Sequence, residues 1–196
     1  MTGAAQAATL DFMGYANSGE KGVANGTMIS SPFFDGETVT FSATASGNDA
    51  YAYFDAGDAG LGVCKSLTQS DQCTPSSDDN VTYGEAVTIA FDGLRTLSDI
   101  LFRAEGHVPL TTNETLLFGI NGGTLTEYTF AGLSGLSFGN VSSATFAFGG
   151  TSEQQFYIQS AVVTAATVPL PAAAPMLLMA LGGFGFAARR KRKQAA

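Results

Sequence analysis

Residues 172–188 form an uncharged, mostly apolar run of 17 residues, and a block of basic residues follows it directly. A run of this length lies at the short limit of the ~17–25 residues that a membrane-spanning helix needs. Because the run has no polar face, it does not suit packing as an amphipathic helix on a soluble domain. Pro169, Pro171 and Pro175 disfavour helix before the run. We therefore predict a single C-terminal transmembrane helix over residues 175–188.

The basic block sets the predicted orientation of that helix. Translocating such a block across a membrane is unfavourable, so it stays in the cytoplasm and the rest of the chain lies outside. Upstream of the block, 17 acidic residues face only four basic ones, a balance that argues against nucleic-acid binding and favours divalent cations. The residues of this predicted stop-transfer cluster are Arg189, Arg190, Lys191, Arg192 and Lys193.

A proline motif precedes the apolar run, with the sequence Val168-Pro169-Leu170-Pro171-Ala172. Two prolines two positions apart enforce an extended backbone, which a processing enzyme can bind without unfolding a domain. The order of proline motif, apolar helix and basic tail resembles the PEP-CTERM sorting signal in its VPLPA variant, found on exported proteins of Gram-negative bacteria that make exopolysaccharide. The original motif has a Glu between its prolines, which is absent here, so the type of processing enzyme stays open.

The resemblance implies processing by an exosortase, an integral-membrane enzyme similar to cysteine transpeptidases, near the proline motif. We assign residues 166–196 to this sorting signal, with the proline motif at 168–172 and the basic tail at 189–193. The alternative is a plain single-span anchor that is never cut.

The N-terminus carries a second indication of export. Ala5-Gln6-Ala7 fits the small-x-small pattern at which signal peptides are cleaved, although the basic and apolar segments that normally precede it are missing. We predict that residues 1–8 are the remnant of a signal peptide. An ordinary N-terminus rich in small residues is the alternative.

Residues 9–165 have the pattern of a β-domain. Polar and apolar residues alternate with the strand period of two, so that Val39, Phe41 and Ala43, for example, share one face. Turn signals such as Asn121-Gly122-Gly123 separate these segments. The sequence therefore predicts an all-β fold, a jelly-roll-like two-sheet β-sandwich. The predicted strands are residues 9–13, 38–43, 50–54, 87–91, 100–103, 116–120, 124–130, 144–148 and 155–163.

Cys64 and Cys73 are the only cysteines, and no His or third Cys stands near them as a zinc partner would. Since the ends of the chain indicate export to an oxidising compartment, we predict a disulfide between them. A pair of reduced, partly buried thiols is the alternative. The segment around Cys64, with its Gly-Leu-Gly-Val sequence, resembles a β-domain frequently attached to the same sorting signal, and no activity follows from that resemblance.

Acidic and amide side chains cluster in the middle of the chain and provide the oxygen ligands that Ca²⁺ prefers. Their spacing does not match an EF-hand, and Asx-rich turns also form for purely conformational reasons. The candidate metal ligands are Asp55, Asp58, Asp78, Asp79, Asn80 and Glu85.

The sequence lacks the motifs of common enzymes. His107 is the only histidine, and no nucleophile motif, H-E-x-x-H or P-loop is present. We therefore predict a non-catalytic protein, anchored in the inner membrane by its sorting signal with the β-domain in the periplasm, then delivered to the cell surface or the extracellular matrix. The alternative function is a calcium-assisted carbohydrate-binding module of the exopolysaccharide matrix.

Overall fold

A computed structural model describes residues 6–165, which form a mostly β domain. No helix within this range has both the length and the apolar character that crossing a membrane requires. The described strands and α-helices are β1 (Ala7–Asp11), α1 (Phe12–Ser18), β2 (Lys21–Val23), β3 (Thr27–Ser30), β4 (Thr38–Ala45), β5 (Asn48–Asp55), β6 (Gly60–Cys64), β7 (Glu85–Ala104), β8 (Thr115–Ile120), β9 (Thr126–Thr129), α2 (Phe130–Ser134), β10 (Ser137–Ala147) and β11 (Phe156–Ala165), and a 3-10 helix covers Pro32–Phe34.

Five antiparallel strands close into a barrel in the order β4–β5–β6–β11–β7, with β7 pairing back to β4. The remaining strands extend this ring: β1 pairs with β11, β2 with β5, β3 with β4, and β10, β8 and β9 follow one another outward from β7. The predicted all-β class is confirmed. The expected pair of separate sheets is not observed, because the ladders join into one sheet that closes on itself.

The long strand β7 explains this difference. Its first half pairs with β4 and its second half with β11, so one strand links what the sequence presented as two sheets. The predicted strands 87–91 and 100–103 are both parts of β7. Asp92-Gly93 resembles a turn in the sequence, but here it lies inside the strand beside a register shift in the β10 ladder, where an irregular pairing accommodates the glycine.

The last strand, β11, is paired along both edges up to its end. Thr164 lies opposite Ala7 of β1, and Ala165 lies opposite Arg95 of β7. The described part of the chain therefore ends in a strand that two neighbours hold by ladder hydrogen bonds.

Two short helices replace predicted strand ends. The predicted strand 9–13 stops at Asp11, whose carboxylate accepts a hydrogen bond from the Gly14 N–H (2.8 Å) and so caps α1. The predicted strand 124–130 likewise gives way to α2, where the Thr129 hydroxyl accepts from the Gly132 N–H (3.0 Å). Both helices bury a phenylalanine at their first residue.

Aromatic side chains fill the core. One group packs beneath α1 and includes Phe12, Phe34, Phe41 and Phe54. A second group surrounds Phe102, whose ring lies 5.1–6.1 Å from those of Phe130, Phe146 and Phe156. All eight of these phenylalanine side chains are buried.

Candidate functional site

The loop of residues 65–84, between β6 and β7, carries three of the six candidate metal ligands, Asp78, Asp79 and Asn80. A disulfide between Cys64 and Cys73 closes its first part, with the two Cα atoms 5.8 Å apart, so the predicted pairing is confirmed. The loop then crosses the outer face of β6 at Gly62. A Cβ at Gly62 would overlap the Asp79 carbonyl oxygen and lie 2.9 Å from the Asn80 Cα, so only glycine fits beneath this crossing.

Lys65 joins two of the candidate metal ligands into an ion-pair cluster. Its Nζ lies 2.6 Å from an oxygen of Asp78 and 2.6 Å from an oxygen of Glu85. The Glu85 side chain is fully buried, and its other oxygen accepts a hydrogen bond from the Thr82 N–H (2.9 Å). This Lys65 cluster, consisting of Lys65, Asp78 and Glu85, fastens the end of the loop to the start of β7.

Burial and ion pairing shift the pKa values of Lys65 and Glu85 in opposite directions. Burial raises the pKa of the Glu85 carboxyl above its ordinary value, although the bonds to Lys65 and Thr82 partly compensate. Burial alone would lower the pKa of Lys65, but its hydrogen bonds to Asp78 and Glu85 more than offset that effect and raise it. Lys65 therefore stays charged and neutralises a carboxylate that has no access to water.

A second cluster, the acidic pair, consists of Asp55 on β5 and Asp79 in the loop. The buried Tyr157 hydroxyl donates a hydrogen bond to an oxygen of Asp79 (2.6 Å). Burial raises the pKa of Asp55 to about 6, and the negative charge of Asp79 adds to this effect. Burial also raises the pKa of Asp79 and that of Tyr157.

His107 contacts the acidic pair from the loop that follows β7. Its Nε2 lies 3.1 Å from a carboxylate oxygen of Asp55, and its Nδ1 lies 2.7 Å from the carbonyl oxygen of Gly57. Because a carbonyl oxygen can only accept, Nδ1 is the donor in its contact with Gly57. No local sequence pattern indicated this contact, because His107 lies in a loop without a partner motif.

The other candidate ligands lie apart from these two clusters. Asp58 is exposed and accepts a hydrogen bond from the Asn17 amide (2.9 Å). Asn80 is buried, and its amide nitrogen donates to Gln155 (3.1 Å). The structure therefore pairs Asp55 with Asp79 and Asp78 with Glu85, and it does not bring all six residues into one site.

Residues 6–165 contain one set of three His, Cys, Asp or Glu side chains whose ligand atoms lie within 4.8 Å of one another. The set consists of Cys64, Cys73 and Asp78. Because both sulfurs belong to the disulfide, they offer no thiolates to a metal ion. Calcium binding at the acidic residues stays a prediction.

We expect Asp55 to make the β-domain more stable in mild acid than at neutral pH. Folding raises the pKa of Asp55 to about 6, from ~4 in the unfolded chain. The favourable contribution of Asp55 to the free energy of unfolding is therefore complete below the unfolded pKa of ~4 and is lost as the pH rises through about 6. The loss amounts to about 2–3 kcal/mol. Urea unfolding at several pH values between 4 and 8 measures it.

The substitution Asp55→Asn should remove this part of the pH dependence, because the amide does not ionise. Asp58→Asn is the matched control, since Asp58 is exposed and follows Asp55 by three residues, and this variant should keep the pH dependence that Asp55 causes. An Asp55→Asn protein with the same pH profile as the unmodified chain would contradict the assignment.

Three predicted parts of the sorting signal lie outside the described residues: the proline motif at 168–172, the apolar run at 175–188 and the basic cluster at 189–193. Most of the predicted signal-peptide remnant also lies outside them. Residues 167–193 match the family model of the PEP-CTERM protein-sorting motif. No curated protein and no solved structure matches the chain. The expected resemblance is confirmed for the C-terminal segment, and that motif implies an exported protein processed by an exosortase.

Proposed function

We propose, from the PEP-CTERM sorting motif at residues 167–193, that this protein is a non-catalytic component of the cell surface or extracellular matrix. In this proposal the apolar run holds the chain in the inner membrane with the β-domain in the periplasm. An exosortase then processes the chain near Pro169 and Pro171, after which the domain leaves the inner membrane. The sorting motif is the observation that carries the proposal.

The disulfide supports the exported location. Cys64 and Cys73 form a bond of a kind that persists in oxidising compartments such as the periplasm and is rare in the cytosol. The acidic balance of the chain upstream of the basic cluster also suits a domain that must not adhere to anionic membrane surfaces.

The contacts of the buried ionisable groups support a non-catalytic role. Asp55 pairs with His107, Asp79 accepts from Tyr157, and Glu85 pairs with Lys65. Perturbed pKa values often mark catalytic sites, but structural ion-pair networks produce them as well. Here each carboxyl group with a raised pKa has a partner within the fold, and the contacts of Asp79 and Lys65 fasten the 65–84 loop.

The double substitution Pro169→Ala and Pro171→Ala tests the proposal. We expect the β-domain to fold normally, because both residues lie beyond its last strand, and we expect maturation to be blocked, because the extended segment offered to the enzyme is lost. Mass spectrometry of the C-terminus of protein from the native host measures processing. Pro109→Ala, in a loop of the β-domain, is the matched control and should be processed normally.

A host strain that lacks its exosortase supplies the second arm of the experiment. The unmodified chain should keep its C-terminal segment in that strain and lose it in the parent strain. If the parent strain also keeps the segment intact, the chain is a plain membrane anchor. Unchanged processing of the double-proline variant would refute the role of the proline motif.

A further inference from the structure

Three turns converge on an open pocket at the surface of the β-domain. Ser46 belongs to the turn between β4 and β5, Tyr83 and Gly84 precede β7, and Phe148 and Glu153 belong to the segment that follows β10. The pocket has a volume of about 580 Å³. This volume falls within the ~300–1,000 Å³ range of small-ligand sites.

The turns that form the pocket are tied to one another by backbone hydrogen bonds. The Ser46 N–H donates to the Gly84 carbonyl (2.7 Å), and the Phe148 N–H donates to the Glu85 carbonyl (3.0 Å). The pocket is therefore formed before any ligand arrives, which lowers the entropy that binding costs.

Tyr83 presents an aromatic surface that the fold does not use. Its side chain is 81% exposed, which is the highest exposure among the large hydrophobic residues of the described chain. The ring meets Phe148 in an edge-to-face contact, with 6.4 Å between the ring centroids and an angle of 72° between the planes. The Tyr83 ring thus lies against Phe148 at the edge of the pocket.

The polar side chains that line the pocket beside this aromatic surface are acidic or neutral. Glu153 is exposed and offers carboxylate oxygens, and Ser46 offers a hydroxyl. None of the described residues that line the pocket is basic, so a phosphate or carboxylate ligand would meet no compensating charge. The lining suits a ligand that has both C–H faces and many hydroxyl groups.

We propose that this pocket binds an uncharged polysaccharide, with the C–H face of a sugar ring against Tyr83 and its hydroxyl groups hydrogen-bonded to Glu153 and Ser46. The electron-rich face of an aromatic ring attracts the weakly positive C–H groups of a pyranose. The site uses none of the six candidate calcium ligands. Polysaccharide binding is also distinct from the sorting role, because it concerns what the β-domain binds and not how the chain is delivered.

The proposal can be tested by affinity electrophoresis of the full chain, which is kept in a detergent that has no sugar headgroup. The probes are dextran, laminarin, galactomannan and xyloglucan, with polygalacturonate as an acidic polymer. We expect at least one neutral polymer to retard the protein and polygalacturonate to leave it unaffected. Tyr83→Ala should weaken the retardation about tenfold, and Tyr83→Phe should retain it because the ring remains.

Met28→Ala is the matched control, because Met28 is also highly exposed, at 71%, and does not line the pocket. It should bind as the unmodified chain does, and thermal unfolding should show that all variants are folded. A chelator should have no effect on binding. The proposal is overturned if no neutral polymer binds, if Tyr83→Ala binds as tightly as the unmodified chain, or if the chelator abolishes binding.

Discussion

Replacing Gly62 by Ala is expected to destabilise the β-domain by about 3 kcal/mol, near the upper end of what overpacking costs. The added Cβ would overlap the carbonyl oxygen of Asp79, and backbone cannot rotate away as a flexible side chain does. The loop of residues 65–84 would have to lift from β6 and weaken both clusters that it carries. Thermal unfolding should show a midpoint lowered by about 6–12 °C.

Gly19→Ala is the matched control for this prediction. A Cβ at Gly19 would meet no heavy atom within 4 Å, and its φ of 167° is ordinary extended backbone. Its midpoint should stay close to that of the unmodified chain. Equal midpoints for the Gly62 and Gly19 variants would show that the loop does not rest on β6 in solution.

Replacing Lys65 by Met is expected to cost about 3 kcal/mol at neutral pH, because it leaves the buried Glu85 carboxylate without its partner. The cost should fall in mild acid, where Glu85 can take up a proton instead. Urea unfolding at pH 7.5 and pH 5 measures both values. A smaller loss of stability at pH 5 than at pH 7.5 distinguishes an electrostatic effect from simple loss of packing.

The double substitution Lys65→Met and Glu85→Gln supplies the control. The neutral amide keeps an oxygen to accept from the Thr82 N–H and needs no counter-charge, so the double variant should recover much of the lost stability. Additive effects of the two single changes would contradict a direct pairing of Lys65 with Glu85.

Alternation of polar and apolar residues predicted the strands whose two faces differ. Residues 38–43 fall within β4, and their apolar members Val39, Phe41 and Ala43 are buried. The strand β6 was not predicted, because all five of its residues are buried and its sequence does not alternate. Its outer face is covered by the loop that crosses Gly62, a contact that no local pattern reveals.

The same reasoning explains what was missed at the candidate sites. The disulfide was predictable, since the chain offers only one pair of cysteines. The contact of Asp55 with His107 and the exposure of Tyr83 both depend on how distant segments meet when the barrel closes. Local sequence patterns specify which residue types are present, whereas these contacts depend on tertiary pairing.

The double pairing of β11 affects what a processed protein would look like. Ala165 is still held opposite Arg95, and the proline motif begins at Val168, so only Ala166 and Thr167 separate the sheet from the motif. Two residues span at most ~7 Å. Cleavage at this motif would leave a mature protein with only a few residues after its last strand. Exopeptidases outside the cell would therefore find little free chain to bind at the new C-terminus.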